Sequence, residues 1–207
     1  IVQERMRLVS EEHEIPSFRV QEIARHRRFE QLRLTSLYLG LSDGARTNEL
    51  RRASDGEIGN EQIWQAYELG DEKAGDMLDE LAASLKKAGF AFDAPHFNLI
   101  WLLDDFSGSG NTYIRYDGES RRFKGKLPKI YQRLHQRGVV DPSHYEVFLM
   151  LYTATRQAID HIEYWSERFT TDHGFKPLQV RILCPIESEV SLTRSTDPQL
   201  QALLANP

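Results

Sequence analysis

The sequence predicts an α/β fold in which a parallel β-sheet is flanked by helices. Two observations lead there. Short runs dense in Leu, Ile, Val, Phe and Tyr alternate with segments whose apolar residues recur at three-and-four spacing, as strands and helices do when they take turns along a chain. Two of those runs, Leu99-Ile100-Trp101-Leu102-Leu103 and Val147-Phe148-Leu149-Met150-Leu151, are continuously apolar, which suits strands covered on both faces.

Taken in order, residues 1–32 read as an N-terminal helical extension, with Val20, Ile23, Ala24 and Leu32 on one stripe. The first strand is expected over Arg33–Leu41 and opens an α/β domain spanning 33–193. A helical insertion follows over 57–89, built from Glu61–Leu69 and Lys73–Lys87. In its second half Ala74, Met77, Leu78, Leu81, Ala82 and Leu85 share a face. His96–Leu103 is the second strand. Phe123, Leu127, Ile130, Tyr131 and Leu134 predict a helix, with Pro128 near its start where proline is tolerated. Tyr145–Tyr152 is the third strand, Ala158, Ile162, Trp165 and Phe169 mark the next helix, and Leu178–Cys184 is the fourth strand. Thr196-Asp197-Pro198 reads as a helix start, with Leu200, Leu203 and Leu204 behind it. Residues 194–207 are therefore expected to begin a further segment of a longer chain, whose first residue here is Ile1 rather than Met.

Composition narrows the function classes. At 207 residues and 40% hydrophobic the chain can bury a core as one domain or a domain with an appendage, and 10% aromatic content is too high for a disordered tail. No apolar run approaches the ~20 residues of a membrane span, which excludes an integral membrane helix. The net charge of −5 argues against a broadly basic nucleic-acid platform, while local basic patches leave a nucleic-acid partner open. The single cysteine, Cys184, excludes an internal disulfide and a cysteine-bound zinc. Its place in an apolar run reads as plain core and fits a cytoplasmic chain. The seven histidines show no His-x-x-x-His spacing, so no protein-built metal site is expected.

In an open parallel sheet, ligands sit at the carboxyl ends of the strands, so the residues after each strand are the informative ones. After the first come Ser42-Asp43-Gly44-Ala45-Arg46-Thr47. After the third strand comes Thr153-Ala154-Thr155-Arg156, where Thr155 reads best as the cap of the following helix. The second loop, Asp104-Asp105-Phe106-Ser107-Gly108-Ser109-Gly110-Asn111-Thr112, says most. Gly108 and Gly110 let backbone amides approach an anion, Ser109 and Thr112 add hydroxyls, and a helix starting near Asn111 would favour a phosphate there. Like charges repel, so the two carboxylates suit sugar hydroxyls instead. Capping of the turn is the plainer role for Asp104 and Asp105, but two in a row after five apolar residues with Gly-Ser-Gly beyond favour a ligand. Arg121-Arg122, Lys124 and Lys126 form a basic cluster behind the loop, read either as a solvated turn or as a clamp on pyrophosphate or nucleic acid.

A Walker A loop would need lysine after Gly110, and a dinucleotide fingerprint would need glycine where Tyr113 stands. The same stretch resembles the cofactor motif of amino-methylating DNA methyltransferases, whose Pro-Pro-aromatic catalytic motif this chain lacks. It also resembles the signature of phosphoribosyltransferases: a hydrophobic strand, two acids, three variable residues, Thr or Ser, Gly, any residue, and Thr or Ser. Residues 104–112 fill every position in register. More narrowly, Leu39–Thr47 with Arg51-Arg52, Asn60-Glu61-Gln62 and Gly125-Lys126-Leu127 look like a phosphoribosyltransferase-like group associated with bacterial conflict and phage-defence operons.

The resemblance implies binding of phosphoribosyl pyrophosphate or a ribose-5-phosphate nucleotide. In that reading Asp104 and Asp105 hold the ribose hydroxyls and act at the reacting centre, and Ser107, Gly108, Ser109, Gly110, Asn111 and Thr112 bind the 5′-phosphate. Ser42, Asp43, Gly44, Ala45 and Arg46 form the pyrophosphate loop, and Mg²⁺ arrives on pyrophosphate oxygens. It implies a glycosyltransferase, or a nucleotide-hydrolysing relative with an antiviral role, and it admits a partner from the same operon and self-association. Typical members place a mobile hairpin between the pyrophosphate loop and the signature, where this chain has the helical stretches of the insertion. That departure supports a second reading, a nucleotide-sensing module that binds without turnover.

Overall fold

The computed structural model describes residues 1–68 and 70–187. The expected segment over 194–207 lies outside them. Three short helices open the chain, α1 (Val2–Glu12), α2 (Val20–Arg25) and α3 (Arg27–Leu34). The stripe from Val20 to Leu32 is broken between the last two, where His26 leaves the helical region and its ring nitrogen accepts from Arg28 N at 3.2 Å to cap α3.

The sheet has five parallel strands: β1 (Ser36–Gly40), β2 (Ile63–Gln65), β3 (Leu99–Ser107), then, after an intervening hairpin of β4 (Arg115–Asp117) and β5 (Arg122–Lys124), β6 (Glu146–Thr155) and β7 (Leu178–Ile186). Their spatial order is β2-β1-β3-β6-β7. The remaining helices are α4 (Thr47–Ala53), α5 (Asp71–Lys87), α6 (Lys126–Gln136) and α7 (Arg156–His173). The α/β class expected from the alternation is what the chain adopts.

Side chains alternate across β3 and so divide the core. Ile100 and Leu102 join α5, α6 and α7 through Met77, Leu81, Ile130, Leu134, Ile162 and Phe169. Leu99, Trp101 and Leu103 face α1 to α3 through Leu8, Val9, Ile23 and Leu32. Trp101 stacks on Phe148 of β6 with ring centroids 4.3 Å apart. Both faces of the central strands are covered, which is why β3 and β6 carry no polar alternation along their first five residues.

Several local expectations change. Glu61–Leu69 is not helical: among its described residues the chain makes 3-10 turns on either side of β2, because Ile63 and Trp64 pair in parallel with Tyr38 and Leu39 of β1. Phe123 lies in β5 rather than in α6, which starts at Lys126. Cys184 is exposed instead of core: β7 pairs with β6 on one side, and Leu183, Cys184 and Pro185 near its end are exposed. No helix among the described residues is long and apolar enough to cross a membrane.

Gln62, 2% exposed, clips β1 to the segment ahead of β2. Its amide nitrogen donates to the carbonyls of Arg33 at 2.7 Å and Ser36 at 2.9 Å, and its oxygen accepts from Gly59 N at 2.9 Å. Gln62→Leu keeps the volume and strands these buried groups, so it should lower the unfolding free energy by about 2 kcal/mol. Urea denaturation of the two proteins measures this.

Candidate functional site

The connections after β1 and β3 leave in opposite directions, to β2 on one side and to β6 on the other. The gap between their carboxyl ends is the topological switch point where such sheets bind ligands. A cleft of about 300 Å³ opens there, lined by Ser42, by Asp104 through Gly110, and by Thr112, Tyr113 and Lys126.

β3 does not stop at Leu103. It runs on to Ser107 because β6 is long enough to pair with it, Asp104 opposite Leu151, Phe106 opposite Thr153 and Ser107 opposite Ala154. Both acids are therefore strand residues, and the pleat sends neighbouring side chains to opposite faces.

Asp104, 2% exposed, turns to the α6 side. Its Oδ2 accepts from Tyr113 Oη at 2.8 Å and Lys126 Nζ at 3.0 Å, and Oδ1 accepts from Ser42 Oγ. Burial alone would raise its pKa, but these three donors outweigh burial and hold the carboxyl below its ordinary value. The Tyr113 hydroxyl is pushed far up by its own burial and by the Asp104 charge, so it stays a proton donor. Asp105 is exposed. Its Oδ1 accepts from Phe106 N at 2.8 Å, and its carboxylate lies against Gly44, where a Cβ would overlap it.

Beyond Ser107 the chain makes bends and a single turn, in which Tyr113 N and Ile114 N donate to the carbonyl of Gly110, and it returns to extended structure at Arg115. No helix starts near Asn111, because Ile114 leaves the helical region to enter the hairpin. The loop is instead held by its neighbours. Thr155 Oγ1 donates to the Gly108 carbonyl at 2.6 Å while accepting from Ala158 N at 3.1 Å, so the expected cap of α7 also tethers the loop. Gly110, at φ +76°, packs against α7 so closely that a Cβ would lie 3.0 Å from the Ala158 carbonyl and 2.9 Å from the His161 ring.

Of the residues singled out in the sequence, Ser42, Asp104, Asp105, Ser107, Gly108, Ser109, Gly110, Thr112 and Lys126 share the cleft. Asn111 turns its amide to Ser109 Oγ at 3.3 Å. In the rest of the loop after β1, Gly44 lies against the Asp105 carboxylate, while Asp43, Ala45 and Arg46 are not part of the lining. Asp43 is exposed, Ala45 is buried with its carbonyl accepting from Tyr152 Oη at 2.8 Å, and Arg46 is exposed with an ion pair to Glu49 at 3.4 Å. Sequence reasoning missed Tyr113 and Lys126 as partners of Asp104. Tyr113 counted there only as the residue that rules out a dinucleotide fingerprint.

The fold and cleft define an α/β protein with a doubly covered parallel sheet and a polar site at its switch point. A comparison with protein-family models, with curated proteins and with solved structures finds no match to the chain.

Two outcomes follow. Gly110→Ala should lower stability by about 1–3 kcal/mol, through the left-handed backbone and the contact with α7, read by thermal or urea unfolding. The folded protein holds the Asp104 proton less tightly than the unfolded chain does. The stability from this carboxylate is thus complete above the ordinary carboxylate range and drains away as acid carries the pH down through it. Asp104→Asn should flatten that acid limb in a series of unfolding curves, and an unchanged limb would remove Asp104 from it.

Proposed function

We propose that the strand-end cleft binds a phosphoribosyl compound, either phosphoribosyl pyrophosphate or a ribose-5-phosphate nucleotide. The observation that carries the reading is the pairing, at one switch point, of an exposed carboxylate with a short Gly-Ser-Gly loop held open by side-chain and packing contacts.

The division of labour differs between the two acids. Asp104 is satisfied by protein donors, so its work is to fix Ser42, Tyr113 and Lys126 around the cleft. Asp105, exposed and with the Phe106 amide as its hydrogen-bond donor, is the acceptor for ribose hydroxyls. The amides and hydroxyls of Gly108–Thr112 take the 5′-phosphate, with the Lys126 ammonium beside them. Phe106 is 53% exposed at the rim, its ring against Gly108, and offers a flat apolar surface to a nucleobase.

If the bound ligand reacts, the bond that breaks is at the anomeric carbon. Pyrophosphate or a base leaves with the bonding electrons, and Asp105 stabilises the positive charge that develops on the ribose ring. A protein nucleophile is not needed; an acceptor base gives transfer and water gives hydrolysis. Mg²⁺ would come with a pyrophosphate group, and Asp105 is the carboxylate in the cleft whose oxygens are open to it. A role in bacterial defence belongs to the same proposal and rests on the sequence resemblance.

Binding without turnover is the second reading. Between α4 and β3 the described residues hold β2 and α5 and no antiparallel hairpin, so an element able to close over the reacting centre from that side is missing among them.

Calorimetric titration with phosphoribosyl pyrophosphate and Mg²⁺, with S-adenosylmethionine in parallel, tests the ligand class. The proposal expects binding of the first alone. Asp105→Asn, nearly isosteric at an exposed position beside Gly44, should change unfolding little and weaken ribose 5-phosphate binding about tenfold or more. Binding of S-adenosylmethionine alone, or full affinity in Asp105→Asn, would sink it.

A further inference from the structure

A second cavity, of about 650 Å³, adjoins the cleft and shares Thr112 and Lys126 with it. Its walls are the β4–β5 hairpin and the first turns of α6, and they bring Arg115, Arg122, Lys124, Lys126 and Lys129 together.

The hairpin owes this to its pleat. Tyr116 and Phe123 pair across the strands on one face and seat it on α7, Tyr116 stacked on Trp165 at 5.7 Å and Phe123 edge-on to Phe169 at 5.4 Å. Their neighbours Arg115, Arg122 and Lys124 must then point the other way. Two of the five cations are already matched, Lys124 by Asp117 and Lys126 by Asp104. Arg115 donates to the neutral carbonyl of Asn111 at 3.2 Å, and the side chains of Arg122 and Lys129 make no hydrogen bond or ion pair with another described residue. Three positive charges are left facing one open cavity. The first amides of α6 are spent on the carbonyls of Thr112 and Tyr113, so any anion is met by side chains.

We propose that this cavity is a polyphosphate subsite and that the ligand is a nucleoside 5′-diphosphate or 5′-triphosphate. The inference rests on the ribose-phosphate reading of the cleft and names its ligand more narrowly. Chain order supplies the direction: Asp105 for the sugar, Gly108–Thr112 for the first phosphate, and, past Thr112, the basic cavity for those that follow. The loop after β1 offers one cation, Arg46, which pairs with Glu49 away from the cleft. A single nucleic-acid strand fits less well. Phe123 lines the cavity but is packed edge-on against Trp165 and Phe169, so it offers bases little stacking surface among the cations.

Titration of the full chain with ATP, AMP, inorganic tripolyphosphate and an oligothymidylate tests this, alongside Arg122→Ala/Lys129→Ala and Asp105→Asn. Both cations are exposed, so the double variant should fold normally. ATP should bind at least about tenfold tighter than AMP. The double variant should erase that advantage and leave AMP affinity intact, while Asp105→Asn should leave tripolyphosphate affinity intact. Tripolyphosphate binding that depends on Arg122 and Lys129, with no AMP binding at all, keeps the subsite and rejects the ribose assignment. An ATP advantage that survives the double variant overturns the subsite, as does oligothymidylate binding tighter than ATP.

Discussion

The buried carboxylate of Asp104 is the constraint on which the rest of the site depends. A charge taken out of water in this way is tolerated only when donors surround it. Here the donors come from three separate stretches: Ser42 after β1, Tyr113 at the end of the Gly-Ser-Gly loop, and Lys126 at the head of α6. Satisfying one side chain therefore brings the loops after β1 and β3 and the start of α6 to the same point. The cleft is the space left between those segments, and Lys126 stands at the junction of its two chambers.

Packing makes the arrangement rigid. The loop is held against α7, because Gly110 packs on Ala158, His161 and Ile162 and Thr155, the cap of the same helix, holds the Gly108 carbonyl. The hairpin is fixed by its aromatic face. Gly125, at φ +124°, lies against the Tyr113 backbone, where no other residue would fit, and lets the chain turn from β5 into α6. A preformed cleft of this kind saves a ligand the entropy of ordering it.

Much of this was legible in the sequence. Continuous apolar runs announced the covered strands, and the glycine and hydroxyl spacing of residues 107–112 announced the tight loop that lines the cleft. Three things were not. β3 outruns its apolar segment because β6 offers a pairing partner, which no local pattern reveals, and that extension splits Asp104 from Asp105. The short strand β2 hides in a polar stretch because its two apolar residues are too few to show a period. The basic cluster looked like a solvated turn because the role of Arg122 depends on Tyr116 and Phe123 finding α7, a contact almost fifty residues away in sequence for each ring.

Exposure of Cys184 gives the chain a practical asset. It carries the only thiol, and in the sheet it sits opposite Thr153, which in turn sits opposite Phe106 at the rim of the cleft. Two strand spacings amount to roughly 10 Å. A dye coupled to that sulfur would look across the end of the sheet at the aromatic ring beside the cleft, making the protein a natural chassis for an optical reporter.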